Sequence, residues 1–464
     1  MGRRKITANK PPGDAWLETG LGSGVERERQ IEPSGRPRAT GTRRLDRGQI
    51  WYVHGQTEWR RKARRVHQRT DRVMKRLVIL DPGLITVLSH NYSEANALVR
   101  EARDLRLAAT VFCHREAHVA VRQIPATPFF RQHSYGYTAD ARPAADFMSI
   151  DFCNRSTLKD LEALPVTLTC DDFVLFPTVT CNIVLAICQW LGNFEPARAP
   201  RFGLCLMFAP DANAAGRSSA VALDTYRRAF AQVPAGLAGR LVHTCEIDAI
   251  SRMYEPIVGV RPVTLAIPTW AAMPDEPAMT DGMRISFLGG ARAEKGFQLL
   301  PEVIAAVRER HARARFTVQA VGHEADLVRS VTGRLAVHRD VVTLIHSPLS
   351  DGAFRAAMRR SSLLLLPYDS DRYGRRGASL FSEAKLMGIP MVLPDGTAIG
   401  KDGRRKGIAT TFEAFTARSV ADATMRAIDR ISELSRRARQ VALSERAGAS
   451  GYLRALLSGP GCPS

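Results

Sequence analysis

The sequence predicts an α/β protein built as two domains, each a parallel sheet covered by helices. Short apolar runs without alternation, Leu77-Val78-Ile79-Leu80 and Leu363-Leu364-Leu365-Leu366, have the length of strands and the character of strands buried on both faces. Amphipathic stretches of helical period lie between such runs, so strand and helix alternate. At 464 residues the chain exceeds what a single core holds. Residues 269–282, Pro-containing, polar and aperiodic, read as the linker between the domains.

The first domain is expected over 74–268. Its opening strand, 77–80, is broken by Asp81-Pro82-Gly83. Ser93 with Glu94 marks a helix start, and Ala95, Leu98, Val99, Ala102 and Leu105 form its apolar side. The next strand is 108–112, ending at Cys113-His114-Arg115-Glu116. This unit has no G-x-G-x-x-G, which argues against a dinucleotide site there. Residues 125–154 read as a loop whose aromatics pack rather than line a pocket. Strands follow at 172–176, 202–208 and 264–267, and helices at 182–191, 223–233 and 247–258. Glu246, just before the last helix, reads as its cap.

The second domain is expected over 283–440, with 441–464 as a C-terminal helix and tail. Its strands are 284–288, 316–321, 341–345, 363–366 and 389–394. Helices are expected at 299–308, 350–359 and 380–387, the last capped by Gly388, and one or two more within 413–447. Residues 395–406 are polar and basic.

Apolar residues make up 45% and charged residues 24%, an ordinary globular composition, and no apolar run reaches the length that spans a bilayer. The N-terminus is basic but lacks the apolar core of a secretory signal. Eight cysteines form no CxxC pair and no zinc spacing, so reduced thiols, no metal and a cytoplasmic location are expected. The formal charge of +20 is uneven: residues 1–73 hold 18 Lys+Arg against 8 Asp+Glu, a net of +10. That segment is rich in Gly, Pro and Arg and reads as a disordered basic extension. Met74, directly before the first strand, is the expected native start; a native peptide from upstream of it would sink that idea.

Two strand-to-helix loops of the second domain carry the chemistry. In the first, Gly289 and Gly290 permit close backbone approach, and Arg292 and Lys295 suit phosphate oxygens. In the second, Gly377, Ala378 and Ser379 open a helix with free amides, flanked by Tyr373 and Arg376, and Glu383 lies a turn further in. Either loop alone reads as solvated surface. Together, at carboxyl ends of strands in one domain, they suit a nucleotide diphosphate.

The stretches Gly289-Gly290-Ala291-Arg292-Ala293-Glu294-Lys295-Gly296 and Gly377-Ala378-Ser379-Leu380-Phe381-Ser382-Glu383-Ala384, about 85 residues apart, resemble the donor domain of GT-B glycosyltransferases of family four. The resemblance is strongest over 284–397, thinner over 74–268, and absent from 1–73. It implies two Rossmann-like domains facing across a cleft, with a nucleotide-sugar in the second and an acceptor in the first. It implies transfer with retention and without metal or cofactor, the protein's own cations neutralising the leaving diphosphate. Lys295 matches the family's diphosphate lysine, and Glu383 the glutamate implied for the ribose. The family's other glutamate, implied for the donor sugar, is replaced by Arg375, and the family's arginine position is Gly290, with Arg292 two residues later.

On the acceptor side, His90 and His114 are expected in loops facing the cleft, with His90 the candidate catalytic or substrate-binding group. Asp171 and Asp172 lie at the wrong end of a strand for a metal pair. The expected partners are a nucleotide-sugar donor and a glycan, lipid-linked or small-molecule acceptor, with peripheral association at the inner membrane left open by the basic charge. Two alternatives stand beside this reading. One is a nucleotide-sugar-binding relative without activity. The other is a nucleic-acid or membrane-surface binder, whose salt-sensitive DNA binding would vanish with residues 1–73.

Overall fold

Parallel strands buried on both faces require crossover helices, and the chain supplies them throughout. The computed structural model describes residues 74–87, 89–136, 149–212, 219–268, 282–448 and 451–458. The expected basic extension and residues 269–281 of the expected linker lie outside the described residues. The first sheet comprises β1 Arg76–Asp81, β2 Ala108–His114, β3 Ala126–Phe130, β4 Asp172–Val179, β5 Arg201–Leu206, β6 Leu241–Cys245 and β7 Val263–Thr264. Its order is β3-β2-β1-β4-β5-β6-β7, every neighbouring pair parallel. Its helices are α1 His90–Asp104, α2 Ile150–Glu162, α3 Val184–Leu191, α4 Ala220–Ala231 and α5 Asp248–Val258.

The second sheet comprises β8 Arg284–Phe287, β9 Arg315–Gln319, β10 Val342–Ile345, β11 Leu363–Leu365, β12 Met391–Pro394 and β13 Ala409–Phe412. Its order is β10-β9-β8-β11-β12-β13, again all parallel. Around it lie α6 Leu300–Arg310, α7 Ala325–Leu335, α8 Asp351–Arg359, α9 Ser379–Met387, α10 Ala398–Lys406, α11 Ala417–Asp429 and α12 Ile431–Gly448. The run Leu363 to Leu366 is fully buried, as are Leu77 to Leu80 at the centre of the first sheet. Among the described residues no helix is long and apolar enough to cross a membrane.

The last helix, α13 Tyr452–Ser458, leaves the second sheet and packs on the first. Leu453 and Leu456 join the core beneath Leu77 and Ile79, and Arg201 donates to the Leu457 carbonyl at 2.6 Å. The Tyr452 hydroxyl lies 2.8 Å from Cys205 Sγ and 3.0 Å from Thr244 Oγ1.

Several expected elements differ in extent. The first helix begins at His90, because Ser89 Oγ accepts from the Tyr92 amide and caps it there rather than at Ser93. Residues 125–154, expected as loop, hold β3 and the start of α2. β4 runs through Pro177 to Val179; its pairing with β1 ends at Leu175, so the missing proline N–H costs no ladder bond to that neighbour. Residues 398–406 are helical: Thr397 accepts from the Gly400 amide, and Gly403 packs where a Cβ would meet Leu393 and Ala409.

Candidate active site

Both sheets belong to one compact unit, and their carboxyl edges border a common cleft of about 400 Å³. This is the position at which open parallel sheets bind ligands. The second sheet supplies the loop after β8 with Arg292 and Lys295, the end of β11 with Tyr368, and the turn into α9 with Tyr373, Arg376, Gly377, Ala378 and Ser379. The first supplies His90, Tyr135, Met207, Phe208 and Glu246.

Eight of the eleven residues singled out in the sequence line this cleft: His90, Arg292, Lys295, Tyr373, Arg376, Gly377, Ala378 and Ser379. Gly289 stands behind the wall with φ +101, where a Cβ would lie 3.4 Å from Lys295 Nζ, and its amide donates to Gln319 Oε1 at 2.8 Å. Gly290 and Glu383 are not among the lining residues. Burial raises the Glu383 carboxyl to about 7, against a pull downward from Arg355.

Lys295 is the central cation. Its ammonium lies 5.6 Å from the Tyr368 ring centre, and among the described residues it makes no salt bridge. Burial lowers it to about 7, and Arg292 pushes the same way while Glu294 opposes. The tilted pair Tyr368 and Tyr373, centroids 4.3 Å apart, carries a second cation, Arg376, 5.7 Å from the Tyr373 ring centre. Arg292 pairs with Glu294 at 3.1 Å.

His90 is the first residue of α1, not a loop residue. Its Nε2 lies 3.1 Å from the Tyr135 hydroxyl. Burial, helped by the Lys295 charge, lowers it to about 4, so at neutral pH it is an uncharged hydrogen-bonding group. His114 ends β2 rather than lying in a loop; it is buried, accepts from the Glu116 amide at 3.1 Å, and does not line the cleft. Asp171 and Asp172 pair with Lys75 and Arg76 at the start of β4. Among the described residues no cluster of His, Cys, Asp and Glu is arranged to hold a metal ion.

The residue that sequence reasoning misplaced is Glu246. It does not cap α5, whose N-cap is Ile247 without a side-chain bond. Its side chain crosses to the second sheet, accepting from Ser382 Oγ at 3.3 Å and from the Ala378 amide. A Cβ built on Gly377 would fall on its carboxylate. Burial raises Glu246 to about 7, while the Ser382 and Ala378 bonds favour the charged form. Beneath it lies Glu94, 2% exposed, whose Oε2 has no partner among the described residues. The two glutamates border a small cavity of about 10 Å³.

No family model and no curated protein matches the sequence. Solved structures match over most of the chain. The pneumococcal O-GlcNAc transferase GtfA, in complex with UDP and GlcNAc, superposes with a TM-score of 0.55 at 9% identity, over 80% of this chain and 96% of its own. Anabaena HepE, in complex with UDP and glucose, gives 0.52 at 12%, over 83% and 100%. Sucrose-phosphate synthase from Thermosynechococcus elongatus gives 0.52 at 11%, over 80% and 96%. The chain has the GT-B fold. At these identities the likeness concerns architecture.

Proposed function

We propose that this chain transfers a glycosyl group from a nucleotide-diphosphate sugar to a hydroxyl of its acceptor. One observation carries the reading: Lys295, half-buried, lines the same cleft as Arg292 and Arg376 and makes no salt bridge among the described residues. In glycosyl transfer the C1–oxygen bond to the diphosphate breaks, and negative charge grows on the leaving oxygen. Fixed cations in a cleft of low dielectric stabilise that charge most. That Lys295, Arg292 and Arg376 line one cleft supports a reading in which the protein's own cations take this role without a metal.

The ligands named for GtfA and HepE, UDP with GlcNAc or glucose, belong to the donor class proposed here. The cationic loops take the diphosphate, and Glu383 is assigned to the ribose end. His90, uncharged at neutral pH and bonded to Tyr135, is assigned to holding a hydroxyl rather than to taking its proton. Retention of configuration follows from the sequence resemblance. The acceptor is a glycan, a lipid-linked sugar or a small molecule.

Calorimetry against uridine, guanosine and adenosine diphosphates and their glucose conjugates tests the reading. Binding of one of these series, followed by hydrolysis or transfer insensitive to EDTA, is expected. Nuclear magnetic resonance of the product gives its anomeric configuration. A second reading, binding without transfer, is favoured by one feature: Arg375 stands where the resemblance implies a sugar-contacting glutamate, and it is paired with Asp211. Tight donor binding with neither hydrolysis nor transfer would favour it. Absence of nucleotide binding together with salt-sensitive DNA binding would replace both.

A further inference from the structure

The amides that open α9 are a natural anion cradle of the second sheet, yet one of the chain's own carboxylates already lies at them, on the Ala378 amide. Glu246 reaches over from the end of β6, takes the Ala378 amide and Ser382 hydroxyl, and lies against Gly377 where no side chain intervenes. A phosphate seated on those amides would meet a carboxylate. Lys295 and Arg376 lie elsewhere in the cleft, on the tilted rings of Tyr368 and Tyr373. The cleft therefore has a cationic region fit for a diphosphate and a carboxylate region unfit for one.

We propose that Glu246 is a specificity-determining residue: it accepts hydrogen bonds from hydroxyls of the transferred sugar and selects neutral sugars over uronic acids. This rests on the donor reading above. A carboxylate offers about four lone-pair sites, of which Ser382 and Ala378 use two, leaving acceptor capacity for substrate hydroxyls. Met207 and Ile267 line both the cleft and the small cavity together with Glu246, and such apolar neighbours limit its solvation, which strengthens both a bond to a hydroxyl and repulsion of a second carboxylate. The residue comes from the sheet opposite the nucleotide loops, so sugar choice and nucleotide binding reside on different halves of the molecule.

The test uses the full chain and calorimetry. The nucleoside diphosphate that binds is identified first, and its glucose and glucuronate conjugates are then compared. The wild-type chain is expected to prefer the glucose conjugate by about tenfold or more. Glu246→Gln removes the charge with little change of shape and is expected to shrink that preference to about threefold or less. Glu246→Ala is expected to weaken the glucose conjugate by about tenfold while changing the bare diphosphate by less than about threefold. Equal loss of diphosphate and conjugate in the Ala variant, tighter diphosphate binding in it, or a wild-type chain indifferent to the uronate would each overturn the inference and leave the donor reading standing. Failure of every nucleoside diphosphate to bind the wild-type chain would overturn the donor reading itself, and this inference with it. The wild-type comparison needs no variant, so a substitution that fails to fold does not blunt the test.

Discussion

The two walls of the cleft are built by opposite means. The second-sheet wall is cationic and shaped by backbone: Lys295 and Arg376 lie over tyrosine rings, and Gly289 and Gly296, at φ +101 and +75, turn the loop that carries Lys295. The first-sheet wall has no lysine or arginine among its lining residues and is shaped by side chains. His90 bonds Tyr135, and Tyr135 meets Phe208 edge-on. Behind them Asp81 accepts from the Gly83 amide at 2.9 Å and from Asn91 at 3.2 Å. Burial raises Asp81 to about 6, and lowers His133 to about 3. A ligand spanning the cleft thus meets fixed positive charge on one side and, on the other, hydrogen-bonding groups with one carboxylate, Glu246, and no cation. That polarity suits a molecule with an anionic end and a hydroxyl-bearing end.

The largest effect should separate the two building modes. A Cβ at Gly296 would fall on the Pro367 carbonyl oxygen, and the residue's φ is +75. Gly296→Ala is expected to cost roughly 2–4 kcal/mol of stability, because backbone must move. At Gly83 a Cβ would meet side-chain atoms instead, Ser134 Oγ at 2.7 Å and Asn91 Nδ2 at 2.8 Å. Gly83→Ala should cost roughly 1–2 kcal/mol, since side-chain ends give more easily. Urea melts of the two variants decide; equal costs would erase the distinction.

Next comes the charge on the second wall. Lys295→Ala should weaken nucleoside diphosphate binding by about 2–3 kcal/mol, the loss of a charge-assisted bond to phosphate. His90→Ala, on the other wall, should change it by less than about 0.5 kcal/mol. Calorimetry on both variants measures the difference, and unchanged binding by Lys295→Ala would count against the site.

The same contrast explains what the sequence makes legible. The second wall is built from contiguous residues: glycines, a lysine and an arginine within eight positions, then Gly377, Ala378 and Ser379 before an amphipathic run. Backbone chemistry is local, so it leaves a local pattern. The first wall is assembled from residues far apart in the chain, and its key carboxylate, Glu246, is defined by its contacts with Gly377, Ala378 and Ser382. No spacing announces such a contact. The missed elements have a similar cause. β6 carries His243 and Thr244 in its buried run, and α10 is rich in Gly and basic residues, so neither has the apolar signature of its class. The apolar strands β1 and β11 announce themselves, because burial on both faces demands it.

A smaller effect lies in pH. Lys295 titrates near 7 in the free chain, and a bound diphosphate favours its charged form. Below 7 it is charged in both states and adds no pH dependence. Above 7 the free lysine is neutral, so binding takes up a proton and affinity falls by up to about 1.4 kcal/mol per pH unit. Calorimetry of the nucleotide-sugar at pH 8, in two buffers of different ionisation enthalpy, should register uptake approaching about one proton. Lys295→Arg, charged throughout, should lose that uptake; a slope that survives it belongs to Glu246 or Glu383, both raised to about 7.

The smallest effect tests whether the walls are joined by more than the ligand. Arg375 Nη1 reaches Asp211 at 2.9 and 3.1 Å, and the two side chains come from opposite sheets. The arginine is half exposed, so the pair is worth only about 0.2–1 kcal/mol. A double-mutant cycle on nucleotide-sugar affinity isolates it. If the pair holds the cleft in its binding geometry, Arg375→Ala and Asp211→Ala should each weaken binding about twofold, and the double variant no further. The coupling should shrink in high salt, because the pair is open to screening. Additive losses would mean that each side chain meets the ligand separately. In that case Arg375 would belong to the cationic wall, and other contacts, among them those of Glu246 with Ser382 and of Ser93 with Asp351 at 3.4 Å, would join the two walls.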